Sequence, residues 1–183
     1  MEEEMIKPWK VVNSRYLAEK PWFTVREERV QLPNGNEISN YYVFEYPDWV
    51  NVIAVTVDGK YVFERQYRHA VGLVSYELCA GVCEPDDASP LEAARRELLE
   101  ETGYGNGEWE ELMILSPNPG THTNLTYCYL ARNVERIESQ HLEPTEDIAV
   151  ELLSLEEVRV LLDCNGVLQA LHAAPLWNCL LYT

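Results

Sequence analysis

Three carboxylates within five residues are the part of this chain best suited to chemistry. The run Arg95-Arg96-Glu97-Leu98-Leu99-Glu100-Glu101-Thr102-Gly103 places Glu97, Glu100 and Glu101 at i, i+3 and i+4, which share one face if the segment is helical. Like charges at that spacing oppose helix formation unless something neutralises them. A hard divalent cation does so: Mg²⁺ takes oxygen ligands and is commonly held by a few carboxylates together with phosphates. The alternative is a solvated acidic face, offset locally by Arg95 and Arg96.

The elements that must position these groups can also be read from the sequence. Ser89 is an N-cap, Pro90 stands at the first helical position, and Glu92 completes a Ser-x-x-Glu capping box. Gly103 ends the helix in the C′ role, and Leu91, Ala94 and Leu98 turn toward a core. Upstream, Val50 to Val57 is a continuous apolar run of the kind a buried strand requires. Asp58-Gly59 is a hairpin turn, with Lys60 to Gln66 as the return strand. Leu73–Leu78 is another strand, followed by a loop from Gly81 to Ala88. Downstream, strands are expected at Trp109–Leu115, Thr126–Ala131 and Ala149–Leu153, and helices at Leu155–Leu162 and Val167–Leu181. Residues 10–46 read as strands around a Pro33-Asn34-Gly35-Asn36 turn, an element too small to stand comfortably alone. The layout is α+β: a sheet with packed helices.

Bulk properties narrow the function. The chain has 183 residues and a formal charge of −17, which argues against nucleic acid as a partner, since that would demand clustered Lys and Arg. Bound divalent cations would reconcile the same charge with a phosphate-bearing ligand; the alternative is that the acidity confers only solubility. The five cysteines, Cys79, Cys83, Cys128, Cys164 and Cys179, are dispersed and odd in number, so buried reduced thiols are expected. No apolar run approaches bilayer length, and Met1–Met5 is acidic where a signal peptide is basic. A cytoplasmic protein without membrane contact is the expectation.

The segment Gly81…Arg96-Glu97-Leu98-Leu99-Glu100-Glu101-Thr102-Gly103-Tyr104 resembles the Nudix box. Its second half, Arg-Glu-apolar-x-Glu-Glu-x-Gly-apolar, matches at every specified position. The first half departs from the pattern. Gly81 lies one residue too far from Arg96, and the box's first Glu falls on Asp87 or Ala88, depending on where the insertion is placed. The resemblance implies a Nudix fold: a mixed central β-sheet sandwiched by helices, over residues 47–183, with a small N-terminal β-strand subdomain at 1–46. It implies Glu97 and Glu101 as principal metal ligands, Glu100 ligating or supporting them, and Arg96 orienting the carboxylates. The Ala80 carbonyl would be a further ligand, and the ion Mg²⁺, with Mn²⁺ as its substitute.

Outside the box the chain is similar to the ADP-ribose pyrophosphatase branch. The resemblance rests on Gln66-Tyr67-Arg68-His69, Glu77-Leu78-x-Ala80-Gly81, Glu146-Asp147-Ile148 and Pro119. It implies Mg²⁺-dependent hydrolysis of a nucleoside diphosphate derivative, ADP-ribose to AMP and ribose 5-phosphate first. GDP-mannose or another nucleotide sugar is the alternative, as is a catalytically silent nucleotide-sensing domain. Glu146, with Glu143 beside it, would be the general base or an added metal ligand, or else an exposed loop carboxylate. Arg68, Glu77, Trp22 and Pro119 are the substrate-binding candidates. Arg68 would grip a phosphate or pair with an acid; Trp22 would stack on a base or pack in the subdomain. Ser116–Asn124 lacks the acidic residues that the ADP-ribose form carries after Pro-Gly, and His122 there is a possible proton donor or an uninvolved loop residue. Members of this branch are usually homodimers whose N-terminal strands exchange between subunits and help form the substrate site, the role the resemblance implies for residues 10–46.

Overall fold

In the N-terminal element, alternating and aromatic-rich runs become β1 (Lys10–Lys20), β2 (Phe23–Gln31) and β3 (Glu37–Glu45), an antiparallel sheet in the order β1-β2-β3. This structure is a computed structural model that describes residues 6–182; the acidic Met1–Met5 segment and Thr183 lie outside the described residues. The β2–β3 turn closes where the Pro-Asn-Gly-Asn run stands. Leu32 N–H donates to the Asn36 carbonyl at 2.8 Å, and Gly35 takes φ 87°, a left-handed conformation that suits glycine. Among the described residues Val25, Val30 and Val43 are its buried apolar side chains, and Glu28 of β2 is buried with them. Residues 116–124 join this unit. Phe44 N–H donates to the Thr121 carbonyl at 2.7 Å, and the His122 ring stacks against Phe44 and Tyr46 at 5.5 and 5.4 Å.

The second unit comprises Pro47–Leu115 and Leu125–Thr183. In chain order it contains β4 (Trp49–Thr56), β5 (Tyr61–Arg68), β6 (Leu73–Glu77), β7 (Cys79–Val82), α1 (Pro90–Thr102), β8 (Tyr104–Gly105) and β9 (Glu108–Leu115). Then follow β10 (Thr126–Arg136), β11 (Ile148–Leu153), α2 (Leu155–Asp163) and α3 (Ala170–Tyr182). Its mixed eight-stranded sheet runs β11-β5-β4-β10-β8, with β6 on β5, β7 on β4 and β9 on β10; the β4–β10 pair is parallel. The fold is α+β, as expected.

Three local expectations are corrected. The strand expected over Leu73–Leu78 is present as β6, but a further strand that was not expected follows it: the chain leaves β5 at Glu77 and pairs with β4 from Cys79. Leu78 is the crossover residue, and its N–H donates to His172 Nδ1 at 3.2 Å instead of to a ladder. The loop thought to begin at Gly81 therefore begins after Val82. At α1, Ser89 Oγ accepts from Glu92 N–H at 3.3 Å, but the Glu92 carboxylate turns to Arg95 at 3.1 Å, so only half of the capping box forms. A complete box stands instead on α2: Ser154 N–H donates to Glu157 Oε2 at 2.7 Å and Glu157 N–H to Ser154 Oγ at 3.3 Å. The helix end follows expectation, with Gly103 at φ 74° and its N–H donating to the Leu99 carbonyl at 2.8 Å.

Strand alternation sorts the sheet into two faces. Val50, Val52, Ala54, Val62 and Cys79 pack with Ala93, Ala94 and Leu98 of α1. Ile53, Phe63 and Leu78 pack with Val158 and Leu162 of α2 and Leu176 and Cys179 of α3.

Candidate active site

The site begins with the approach of α1 to β7. A Cβ on Gly81 would lie 2.1 Å from the Glu97 carboxyl group, so only glycine lets that carboxylate sit against the strand. There Glu97 Oε1 accepts from Val82 N–H at 3.2 Å, and two residues earlier on the same edge Glu101 Oε2 accepts from Ala80 N–H at 3.2 Å. The exposed edge of a four-residue strand thus anchors both carboxylates and leaves each with a second oxygen.

The face shared by the three glutamates is graded in depth. Glu101 is 6% exposed, whereas the Glu97 and Glu100 side chains are 13% and 45% exposed. Arg96 lies over the two outer ones, its Nη1 at 3.0 Å from Glu97 Oε1 and 3.1 Å from Glu100 Oε2. Its other side is held by Asp87 at 3.0 Å and by the Val82 carbonyl at 3.0 Å. Of the two positions the spacing left open, Asp87 meets the arginine. These bonds fix the guanidinium in one orientation, as a planar fork of donors allows.

Deeper in, the carboxylates have less compensation. Glu64 of β5 is 4% exposed and projects to the α1 side, as Val62 does. Carboxylate oxygens of Glu64 and Glu101 and the Cys79 sulfur all lie within 4.8 Å of one another. Glu64 was absent from the sequence reading: a lone Glu between Phe63 and Arg65 in a strand reads as a solvent-facing residue, and the burial of its face comes from α1 packing above it. Burial is the main cause that pushes the Glu101 carboxyl up to about 7 and Glu64 well above the ordinary carboxylate range, with mutual repulsion adding to the latter. Burial also raises Glu97, against the pull of Arg96.

Glu77 stands opposite Glu64 in the β5–β6 register and is 2% exposed. Arg68 grips both its oxygens, with Nε at 2.8 and 3.1 Å. The sequence posed Arg68 as a phosphate ligand or an ion-pair partner; here it is in the pair, with its side chain still 45% exposed. A cleft of about 320 Å³ opens beside it, lined by Arg68, Ala80, Gly81, Val82, Asn51 and Thr126 among others. Asn51 Oδ1 and Thr126 Oγ1 are buried there with no hydrogen-bond partner among the described residues. Buried His172 also lines this cleft, its ring kept neutral by burial, which lowers it to about 4.

Glu143 and Glu146 form a turn of their own, in which Glu146 Oε2 accepts from Glu143 N–H at 2.8 Å. Their segment is tethered to the end of α1: His141 N–H donates to the Glu100 carbonyl at 2.8 Å and Gln140 Nε2 to that of Glu101 at 2.7 Å. Trp22 and Pro119 lie in the N-terminal unit. Trp22 occupies the β1–β2 turn at φ 61°, 65% exposed.

Comparison with known proteins identifies the family and the fold. Residues 46–171 match the family model described as the NUDIX domain, and residues 9–44 match that of the nucleoside diphosphate sugar hydrolase N-terminal domain. An ADP-ribose pyrophosphatase of Bacillus subtilis (strain 168) is 31% identical over 144 residues, covering 78% of this chain and 77% of that protein. A methanol dehydrogenase activator of Bacillus methanolicus is 31% identical over 157 residues, covering 85% and 80%. The crystal structure of an ADP compounds hydrolase shares the fold, with a TM-score of 0.86 over 98% of this chain and 96% of that one at 21% identity. Among the described residues no helix is long and apolar enough to cross a membrane.

Proposed function

Taking as premise that this chain belongs to the Nudix hydrolase family, we propose that it hydrolyses the diphosphate linkage of ADP-ribose, giving AMP and ribose 5-phosphate, with Mg²⁺ or Mn²⁺. One observation carries the reading. Glu97 and Glu101 are drawn out of solvent onto consecutive outward N–H groups of β7, each with an oxygen left over. This donor set is hard and anionic, and fits a divalent cation. Glu97, Glu100 and Glu101, with the Ala80 carbonyl and a carboxylate from the Glu143–Glu146 turn, would hold it. When bound, such an ion neutralises the diphosphate and polarises its oxygens.

The chain's own groups do the rest. Arg96 keeps Glu97 and Glu100 from rotating away, and its own orientation is fixed by Asp87. Arg68, half-exposed at the cleft, offers its remaining donors to a phosphate. Asn51 Oδ1 and Thr126 Oγ1 suit the hydroxyls of a sugar moiety. The match of residues 9–44 to a nucleoside diphosphate sugar hydrolase element supports the same substrate class, and the name of the B. subtilis relative supports ADP-ribose within it.

The N-terminal sheet supports a homodimer. Val11, Tyr16, Leu17, Trp22 and Phe23 are each at least half exposed, and a three-stranded sheet with so small a core needs apolar cover. Trp22 would then serve as a stacking surface for the base. A cytoplasmic location accords with the five free cysteines.

A panel of ADP-ribose, GDP-mannose, NADH and dinucleoside polyphosphates, with Mg²⁺ and coupled phosphate release, tests the proposal. Highest kcat/KM on ADP-ribose is expected. Turnover led by GDP-mannose would reassign the substrate, and none on any of them would leave a nucleotide-sensing domain. Light scattering on the eluting protein should return twice the 21.1 kDa chain mass.

A further inference from the structure

The innermost carboxylate of the site belongs to Glu64. Glu64 is buried to 4% exposure in the middle of β5, between Phe63 and Arg65, where a Val or Leu would pack against α1 at no electrostatic cost. Its Oε1 has no hydrogen-bond partner among the described residues. The described ion pairs give Arg68 to Glu77 and Arg96 to Glu97, Glu100 and Asp87; none reaches Glu64 or Glu101. Two carboxylates buried side by side repel when both are ionised, and either a shared proton or a bound cation relieves this. A second donor closes the group from β7: the Cys79 sulfur, 1% exposed, within 4.8 Å of both carboxylates. Aspects of three elements therefore converge on one point beneath the Glu97–Glu101 face: β5, β7 and the last turn of α1.

From this convergence we propose that Glu64, Cys79 and Glu101 form an inner metal subsite, with Glu101 shared between it and the outer carboxylates. The inference rests on the reading of Glu101 as a metal ligand. Two carboxylate oxygens and one thiolate make a mixed hard and soft donor set. Thiolate selects transition ions such as Co²⁺ and Zn²⁺ over Mg²⁺. Binding is a ligand exchange: the ion displaces to solvent the Cys79 thiol proton and the proton held by the Glu64–Glu101 pair, and water leaves the ion as the three side-chain atoms replace it. The consequence for the reaction is a division of labour. The outer face, all oxygen, suits Mg²⁺ and substrate phosphates, while the inner subsite holds a tighter ion that fixes Glu101 in place.

Co²⁺ titration of the chelator-stripped full chain tests this, because a thiolate ligand adds a near-ultraviolet charge-transfer band that oxygen ligands do not. The band is expected in the parent and in Cys83→Ala, and it should be absent in both Cys79→Ser and Cys79→Ala. Glu64→Gln should weaken the Co²⁺ affinity about tenfold or more, the scale on which lost metal-site groups act. Circular dichroism accompanies each variant to confirm folding. Co²⁺ binding without the band, and unaffected by Glu64→Gln, would overturn the inner subsite and leave the pair as carboxyls sharing a proton, with the outer metal reading intact. Failure of the parent to bind either Co²⁺ or Mn²⁺ would overturn the outer reading as well.

Discussion

The two faces of the eight-stranded sheet are made by the same strands and do opposite work. On the α2 and α3 side, Ile53, Phe63, Leu78, Leu130 and Leu176 form an apolar layer, each at most 2% exposed. Among the polar groups it admits, Asn51 donates to the Leu171 carbonyl, and His172 is neutral and accepts a backbone N–H. On the α1 side, the residues that pack are smaller: Val50, Val52, Ala54, Ala93 and Ala94. Among them sit Glu64, Glu77 and Glu101, all nearly buried. One face contributes cohesion, and the other spends part of that cohesion on holding charge out of water. Period-2 alternation makes this possible, since Phe63 and Glu64 are sequence neighbours with opposite surroundings.

If the division is real, the two faces fail differently. The largest stability loss belongs to the apolar face: Phe63→Ala should cost about 4 kcal/mol, roughly 10 °C in Tm, with Mn²⁺ affinity of the folded protein unchanged. Calorimetry with a parallel Mn²⁺ titration checks it; a metal affinity that falls along with Tm would break the comparison. Next comes acid. His172 is held near 4 against an ordinary 6.5, so the folded state resists its protonation. Its contribution is complete above pH 6.5 and is lost as pH falls toward 4, about 3 kcal/mol in all. Urea midpoints between pH 7 and 4 should fall more steeply for the parent than for His172→Gln; parallel slopes would refute the assignment.

Gly81→Ala tests the α1 face from the backbone. The new Cβ meets the end of a flexible side chain, so Glu97 should swing aside and the fold should survive. Mn²⁺ affinity should drop about tenfold with only a small change in Tm; a large Tm loss would mean that the strand itself cannot adjust. The smallest effect expected is at Ser154→Ala, about 1 kcal/mol from the lost cap on α2, with no effect on turnover. Unaltered chemical stability of that variant would deny the complete capping box its role.

How much of this was legible beforehand follows from range. The helix, its Gly103 stop and the shared face of Glu97, Glu100 and Glu101 are local in sequence, and periodicity revealed them. So did the hairpin at Asp58-Gly59, closed here by Thr56 N–H to Lys60 carbonyl at 2.8 Å. The change of partner at Leu78 was hidden, because re-pairing depends on His172, 94 residues away. Glu64 was hidden for the same reason: only α1 packing shows which face of β5 is covered. The capping-box motif was read on the wrong helix, since Glu92 had a competing partner in Arg95 and Glu157 takes both Ser154 bonds. The docking of residues 116–124 beside β3 likewise depends on contacts between distant segments.

The claim on which everything else depends is that the α1-face carboxylates hold an ion for diphosphate hydrolysis and do not hold the fold together. Measuring Mg²⁺-dependent ADP-ribose turnover and thermal unfolding on one preparation of Glu101→Gln tests it most directly. A loss of about 1,000-fold in kcat is expected, the few kcal/mol that metal-assisted charge stabilisation supplies, with Tm equal to or above that of the parent. Turnover near the parent value, or its loss only in step with unfolding, would contradict it.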